Sequence, residues 1–354
     1  MRSSLSGPMA DRPERWRLPP TLLPDGEQRD LWVLDGHLTD PPIDDAALLP
    51  GRYALPGLVD AHAHVALGPA RQSLDVEEAT AALRARLDEG VLAVRDVGAP
   101  HSVTLHIQPT PSLPVLQVAG RWLAPEGRFY PSFHDPVPAD ALLVAALDEI
   151  AAGARWVKVI ADWHPGALNY DRDLLAQLCE TVHAAGARVA AHSAEPCVSD
   201  VVAAGVDSVE HGWLLTDADL ETLAARDSAL TPTLAALHAP LPDEAPAERV
   251  ARRQDWLDAA RQLVPRAIAH GVTVLAGTDT VGTIGDEIRH LIDFGLTPEQ
   301  ALRAATTDAR AYLGLPVLES GAPADLVTFD ADPREDPAIL GHPAAVVLGG
   351  RLVH

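Results

Sequence analysis

Pro56-Gly57-Leu58-Val59-Asp60-Ala61-His62-Ala63-His64 couples a Pro-Gly pair to an apolar run that ends in two imidazoles. In a strand, side chains two residues apart share a face. His62 and His64 are therefore expected to project together from the end of a first β-strand, where both can reach one cation. A bare His-x-His pair is weak evidence; its position at a strand end after Pro-Gly gives it weight.

Outward from this segment the chain alternates short apolar runs with amphipathic helical stretches as far as about residue 314, the local signature of repeated βα units. Eight strands are predicted, at 57–64, 91–97, 114–119, 156–160, 188–192, 207–211, 229–234 and 272–279. Helical patterns intervene at 74–89, 140–152, 174–185 and 248–270. Eight strands with intervening helices predict an α/β fold, a (β/α)8 TIM barrel over 57–315; an open doubly wound sheet carries the same local pattern. The ends read differently. Segments 31–34 and 52–55 before residue 57, and 326–329 and 345–353 after residue 316, are short β runs with turn chemistry at Asp35-Gly36 and Gly349-Gly350. Residues 18–56 and 316–354 are expected to pair into one small β-sandwich domain. Residues 1–17, polar and proline-containing, are expected to be poorly ordered.

Composition narrows the function classes. A net charge of −23 disfavours nucleic acid and anionic membrane as partners. No apolar run reaches the 18 residues of a membrane span, and the first eleven residues lack the pattern of a secretory signal. The two cysteines, Cys179 and Cys197, make no disulfide framework and fit a cytoplasmic protein. Of 27 basic residues, Lys158 is the single lysine and the other 26 are arginine.

Further candidates fall at the ends of other predicted strands. His192 closes the run 189–192, His211 the run 207–211, and Asp279 follows the run 272–276. In a parallel barrel the C-terminal strand ends converge on one face, where catalytic groups gather. Lys158 lies within Trp156-Val157-Lys158-Val159-Ile160. An ammonium there is costly and its pKa is driven down. A neutral amine can add carbon dioxide to give a carbamate whose two oxygens bridge two metals. The competing account is a lysine whose stem packs in the sheet while its head reaches solvent.

These segments, with Arg95-Asp96-Val97-Gly98, Glu210-His211-Gly212, Gly277-Thr278-Asp279, Thr297-Pro298-Glu299-Gln300-Ala301-Leu302 and Gly321-Ala322-Pro323-Ala324-Asp325-Leu326-Val327, resemble the amidohydrolase superfamily. The resemblance runs from about residue 25 to the C-terminus. Within the superfamily it is to the imidazolonepropionase-like group, which includes prolidase-type dipeptidases and ochratoxin-hydrolysing enzymes. It implies two divalent metal ions, zinc by default for so imidazole-rich a set. His62, His64 and Asp279 would hold one and His192 and His211 the other, with Lys158 as N6-carboxylysine between them. It also implies hydrolysis of an amide C–N bond by a metal-bridging hydroxide, with Asp279 as general base and then acid. The expected substrate is a small molecule such as an N-acyl amino acid or a dipeptide-like compound. Relatives commonly form homo-oligomers, and the same is expected here.

Other candidates stay open. His134 lies in a loop where the resembling proteins carry a histidine, after a Gly-Gly pair, that contacts the substrate carbonyl. Here Ser132-Phe133 replaces the glycines, so His134 is either an oxyanion-stabilising group or a plain surface histidine. Trp122, Trp163 and Trp213 follow strands closely and either line a substrate pocket or pack loops against helices. The predicted seventh strand shows no tyrosine where some peptidase relatives grip a substrate carboxylate. His192-Ser193-Ala194-Glu195 has the His-x-x-Glu spacing of mononuclear deaminases, in which Glu195 would shuttle the proton. A lactonase or esterase on the same two-metal site is the other alternative.

Overall fold

Short runs of β-branched and small residues pair in parallel through the middle of the chain. The structure, a computed structural model, describes residues 15–68, 71–164 and 167–353. The strands that carry the site are β1 Leu58–Ala63, β2 Val91–Asp96, β3 Val115–Val118, β4 Trp156–Ile160, β5 Arg188–Ser193, β6 Ser208–His211, β7 Ala229–Thr231 and β8 Thr273–Val274. One three-stranded sheet runs β3-β2-β1. A six-stranded sheet runs from the two-residue strand Trp122–Leu123 through β4, β5, β6 and β7 to β8. Every pairing in both is parallel.

Backbone hydrogen bonds link the two sheets at both seams. Arg155 N donates to Val118 O at 3.1 Å; Ala61 N donates to Ala276 O at 2.9 Å and Asp279 N to His62 O at 2.8 Å. Helices Leu142–Ala151, Arg172–Ala184, Val198–Ala204, Asp217–Ala225 and Ala247–Ala269 connect successive strands. The result is a TIM-barrel-like α/β architecture. Its interior floor is built from Val59, Ala61, Ala93, Ala190 and Ala229 around the indole of Trp156. The alanines leave room for that ring and for the Arg95 guanidinium stacked 4.6 Å above it.

Two strand ends differ from expectation for local reasons. The seventh strand, expected to reach residue 234, stops at Thr231. Pro232 has no N–H to give the ladder, Thr233 is left-handed (φ 48°), and Leu234 begins the short helix Leu234–His238. The eighth, expected over 272–279, is a ladder strand only at Thr273–Val274. Residues 275–279 then lean toward β1 through the hydrogen bonds above. Trp122–Leu123, beyond the predicted strand 114–119, is a strand paired with Lys158 and Val159.

The chain ends form two further sheets. A four-stranded sheet joins His37–Thr39, Trp32–Leu34, Trp16–Arg17 and Ala47–Leu48. A six-stranded sheet joins Arg351–Leu352, Ala345–Leu348, Leu326–Phe329, Tyr53–Pro56, Thr21–Leu22 and Glu27–Gln28. Leu326–Phe329 pairs antiparallel with Tyr53–Pro56, tying C-terminal chain to N-terminal chain at the point where β1 begins. Leu18, Leu31, Val33, Leu38, Leu326 and Val347 share one apolar cluster. The Asp35-Gly36 turn has both residues at positive φ (50° and 83°), the geometry that suits a two-residue hairpin. Of the stretch expected to be poorly ordered, Trp16 and Arg17 are in a strand, held by Val33 and Trp32; residues 1–14 lie outside the described residues. No helix among the described residues is long and apolar enough to cross a membrane.

Gly277 is where the leaning segment passes β1. A Cβ there would stand 2.5 Å from His62 Cβ and 2.7 Å from Thr231 Cγ2, closer than atoms pack, so one side must give. Gly277→Ala is expected to destabilise the metal-free protein by about 1–3 kcal/mol, read from denaturant unfolding, and to weaken metal retention in the same preparation. Unchanged stability together with unchanged metal content would show that the contact is not a constraint.

Candidate metal centre and cavity

Several strand ends open onto one cavity. His62 is the penultimate residue of β1 and His64 directly follows the strand, and the two rings meet edge-on with centroids 5.2 Å apart. Asp279 Oδ1 lies 3.2 Å from His64 Nε2 and 3.6 Å from His62 Nε2. One ligand atom from each of His62, His64 and Asp279 falls within 4.8 Å of the others, a set able to hold one divalent cation. His192, at the end of β5, and His211, at the end of β6, stand with ring centroids 4.5 Å apart, and His211 is 5.3 Å from His62. Lys158 on β4 lines the same cavity, which has a volume of about 580 Å³.

Each imidazole of the first strand is aimed by a bond from its other nitrogen. His62 Nδ1 donates to Glu210 Oε2 at 2.6 Å and His64 Nδ1 to the Gly98 carbonyl at 2.8 Å. His211 Nδ1 is 2.7 Å from Thr233 Oγ1. Such partners fix the ring so that Nε2 faces the cation site. His211, Thr233, Asp279 and Thr280 all have left-handed backbone, φ 72°, 48°, 48° and 67°. Four non-glycine residues in that region around one cavity is the kind of strain that collects at functional sites.

Behind His62 lies a buried ionic network. Glu210, fully buried, accepts from Arg95 Nη2 at 2.9 Å and from Ser208 Oγ at 2.6 Å. Arg95 also donates to Thr231 Oγ1 and to the Ala61 carbonyl. Asp60 accepts from Thr278 N at 3.1 Å and Thr278 Oγ1 at 2.7 Å, fastening the residue before Asp279 to β1.

The electrostatics follow from this arrangement. Burial raises the carboxyl pKa of Glu210, but the Arg95 guanidinium and His62 outweigh it and hold the group well below its usual range. Asp279 is likewise lowered, its burial overridden by His62 and His64. Burial and the Lys158 ammonium oppose protonation of His62, yet Glu210 and Asp279 leave it above its ordinary value. Burial lowers His192, and takes His211 to about 3, so both rings stay neutral and able to ligate. Lys158 is lowered to about 8, chiefly by burial. Its Nζ is buried with no hydrogen-bond partner.

All six expected metal-site residues therefore meet at one cavity. Trp122, Trp163 and Trp213 line it too: Trp122 is 5.3 Å from His64, Trp163 5.7 Å from His192 and Trp213 5.2 Å from His211. Glu195, buried, lines it as well. His134 is not among the lining residues. Its Nδ1 donates to the Tyr130 carbonyl at 3.0 Å and its ring packs edge-on to Phe129, which does line the cavity. The sequence reading gave no role to Arg95, Glu210, Thr231 or Asp60. For Arg95, Glu210 and Asp60 the signal is charge inside apolar strand runs, which is costly unless paired. It also passed over Arg249, Arg252, Arg253 and Trp256, which line the cavity from one helix.

The comparisons agree with this architecture. The chain is 37% identical over 351 residues to an uncharacterized protein of Mycobacterium tuberculosis (strain H37Rv), with 93% of each chain covered. It superposes on the crystal structure of a prolidase complexed with N-methylphosphonate-L-proline with a TM-score of 0.80, at 24% identity over 96% of this chain and 99% of that one. It superposes on the A. niger ochratoxinase with a TM-score of 0.80, at 20% identity over 97% and 96% of the two chains. The model of the amidohydrolase family matches residues 53–353, and the chain belongs to that family.

Proposed function

We propose that this protein is a metal-dependent hydrolase that cleaves the amide C–N bond of a small molecule at a centre of two divalent cations. The observation that carries the two-cation form is Lys158. Its amine is buried and unpartnered on the same cavity as His62, His64, His192, His211 and Asp279, a cost with no structural return. Addition of carbon dioxide to the neutral amine gives a carbamate and releases one proton. An anion with two oxygens would then replace the ammonium on the cavity that the His62/His64/Asp279 set and the His192/His211 pair also line. The donor set fits zinc, with four imidazoles and oxygen ligands.

Two cations held there would lower the pKa of a water and polarise the carbonyl under attack. The chain's own part is separable. Asp279 takes the proton lost by the attacking water and returns it to the leaving nitrogen. Glu210 and the Gly98 carbonyl keep His62 and His64 in the ligating tautomer. Trp122, Trp163 and Trp213 wall the cavity with apolar surface that orients the substrate. His134, packed behind Phe129, would reach a substrate oxyanion only if that loop moves.

The prolidase and the ochratoxinase among the superposed structures favour an N-acyl amino acid or dipeptide-like substrate. The hydrogen bonds at both seams favour closure of the two parallel sheets into one (β/α)8 barrel. The apolar cluster shared by the two terminal sheets favours a β-sandwich beside it. Glu195, buried at the cavity wall, favours a second reading, a one-metal deaminase in which it carries the proton; product analysis and metal count separate the two.

Elemental analysis is expected to find two divalent ions per chain. One ion per chain, with ammonia released from an amino-purine or related amine, would replace the proposal with the deaminase. Lys158→Met is expected to lose at least one ion and about 100-fold or more in kcat, with partial recovery in added formate or acetate; full activity in that variant would exclude the bridging role.

Asp279→Asn is expected to cut kcat by roughly 10²–10⁴-fold while some metal stays bound. Glu210→Gln acts on affinity instead, weakening metal binding by about 10–100-fold as measured by competition with a chelator. A Glu210→Gln protein that holds metal like the parent would show that His62 needs no anionic partner.

A further inference from the structure

The outer wall of the cavity carries four arginines, Arg71, Arg249, Arg252 and Arg253, beside Trp256. Three of them and the tryptophan stand at i, i+3, i+4 and i+7 of helix Ala247–Ala269. That spacing stacks them on one helix face. The placement is unfavourable by itself. Arg249, Arg252 and Arg253 occupy the first two turns, where the helix dipole already presents positive charge, and Arg249 and Arg253 form a like-charge i,i+4 pair.

Other arginines bond to backbone carbonyls, as Arg188 and Arg310 do, and several are paired with acids: Arg17 with Asp30, Arg29 with Asp40, Arg266 with Asp217 and Arg303 with Asp25. Among the described residues none of the four cavity arginines has such a partner. Arg71 reaches only the Tyr130 hydroxyl, at 3.4 Å, and Arg253 Nη1 donates to the carbonyls of Leu237 and Ala239. Arg252 stacks 5.2 Å from the Trp256 ring, with its Nε buried and unpartnered. Burial, together with the neighbouring charges of Arg249 and Arg71, lowers the pKa of Arg253.

We propose that this wall is an anion subsite, formed by Arg71, Arg249, Arg252 and Arg253, that selects amides bearing a dianionic group on the part of the substrate away from the metal ligands. The dianion is a phosphate monoester or a pair of carboxylates. This rests on the amide-hydrolase reading for the bond broken, and adds what the molecule must carry beyond it. One carboxylate would leave most of the four guanidinium groups unmatched, whereas the planar fork of arginine suits phosphate and carboxylate oxygens. The indoles of Trp213 and Trp256, 4.9 Å apart, lie on the path between the histidines and the arginines. They offer apolar cover to the middle of such a molecule.

The test compares N-benzoylglycinamide, N-benzoylglycine, N-benzoylglutamate and N-benzoyl-O-phosphoethanolamine on the metal-loaded full chain. Binding is followed by tryptophan fluorescence and turnover by release of benzoate. Affinity is expected to rise by about tenfold or more from the neutral amide to the dianions, with a gain that shrinks as salt is raised. Arg252→Met and Arg253→Met are expected to collapse the ratio between dianionic and neutral members. Arg261→Gln, on the same helix but outside the cavity, is expected to keep it.

The two dianions separate phosphate from paired carboxylates by whichever binds more tightly. Equal binding of all four compounds, or a charge preference that survives both arginine substitutions, overturns the subsite. Charge-dependent binding without benzoate release upholds the subsite and counts against the amide reading. Benzoate release without charge preference does the reverse.

Discussion

The pairing of Arg95 with Glu210 is the interaction on which the cavity's geometry rests. One guanidinium on β2 bonds to a carboxylate on β6, a hydroxyl on β7 and a backbone carbonyl on β1, so a single side chain ties four strands together across the interior. Burying both charges costs several kcal/mol per ion, and that cost is offset only where the remaining lone pairs are satisfied. Ser208 and His62 take those places on Glu210. The carboxylate that closes the ionic network is thus the same one that orients a metal ligand. Losing Arg95 would leave a bare anion beneath the histidines; losing Glu210 would leave a bare cation.

Much of this was legible in the sequence because strand periodicity and strand-end position are local properties. His62, His64, His192, His211 and Asp279 each terminate or follow an apolar run, and parallel βα topology brings such ends to one side. Lys158 was legible for a different reason, as the one lysine in a chain that otherwise uses arginine. What escaped was pairwise and non-local. Arg95 and Glu210 are 115 residues apart, and nothing in either neighbourhood names the other. The seventh strand stops short of residue 234 because Pro232 gives the ladder no N–H and Thr233 is left-handed, and the eighth leaves the ladder while its apolar run continues. His134 was placed by likeness of loop position, whereas here its ring turns behind Phe129.

Lys158 and Arg95 illustrate two outcomes for a buried base. Arg95 keeps its charge, because guanidinium stays protonated at any relevant pH and finds a carboxylate, a hydroxyl and a carbonyl to serve. An amine is not bound to that course. Desolvation moves Lys158 toward the neutral form, outweighing the opposing charges of Glu210 and Asp279, and no hydrogen-bond acceptor at Nζ holds the proton. An arginine at 158 could neither shed its charge nor become an anionic ligand. That gives a chemical reason for the strand to hold a lysine in a chain whose other 26 basic residues are arginine.

Charge on the two scales of this molecule has opposite sign, and the distance over which each acts decides which a ligand feels. The net −23 belongs to the whole surface; at physiological ionic strength its field decays over about 8 Å. An approaching anion is therefore repelled weakly and only near the surface. At the cavity wall the half-buried Arg252 and Arg253 act at contact, beside the Trp256 indole, where a charge-assisted bond is worth more than in open solvent. Such a protein would gain little from long-range steering of anionic substrates and much from holding them once they arrive. Its selectivity should then reside in dissociation rather than encounter, and salt should act mainly on the arginine contacts at the cavity wall.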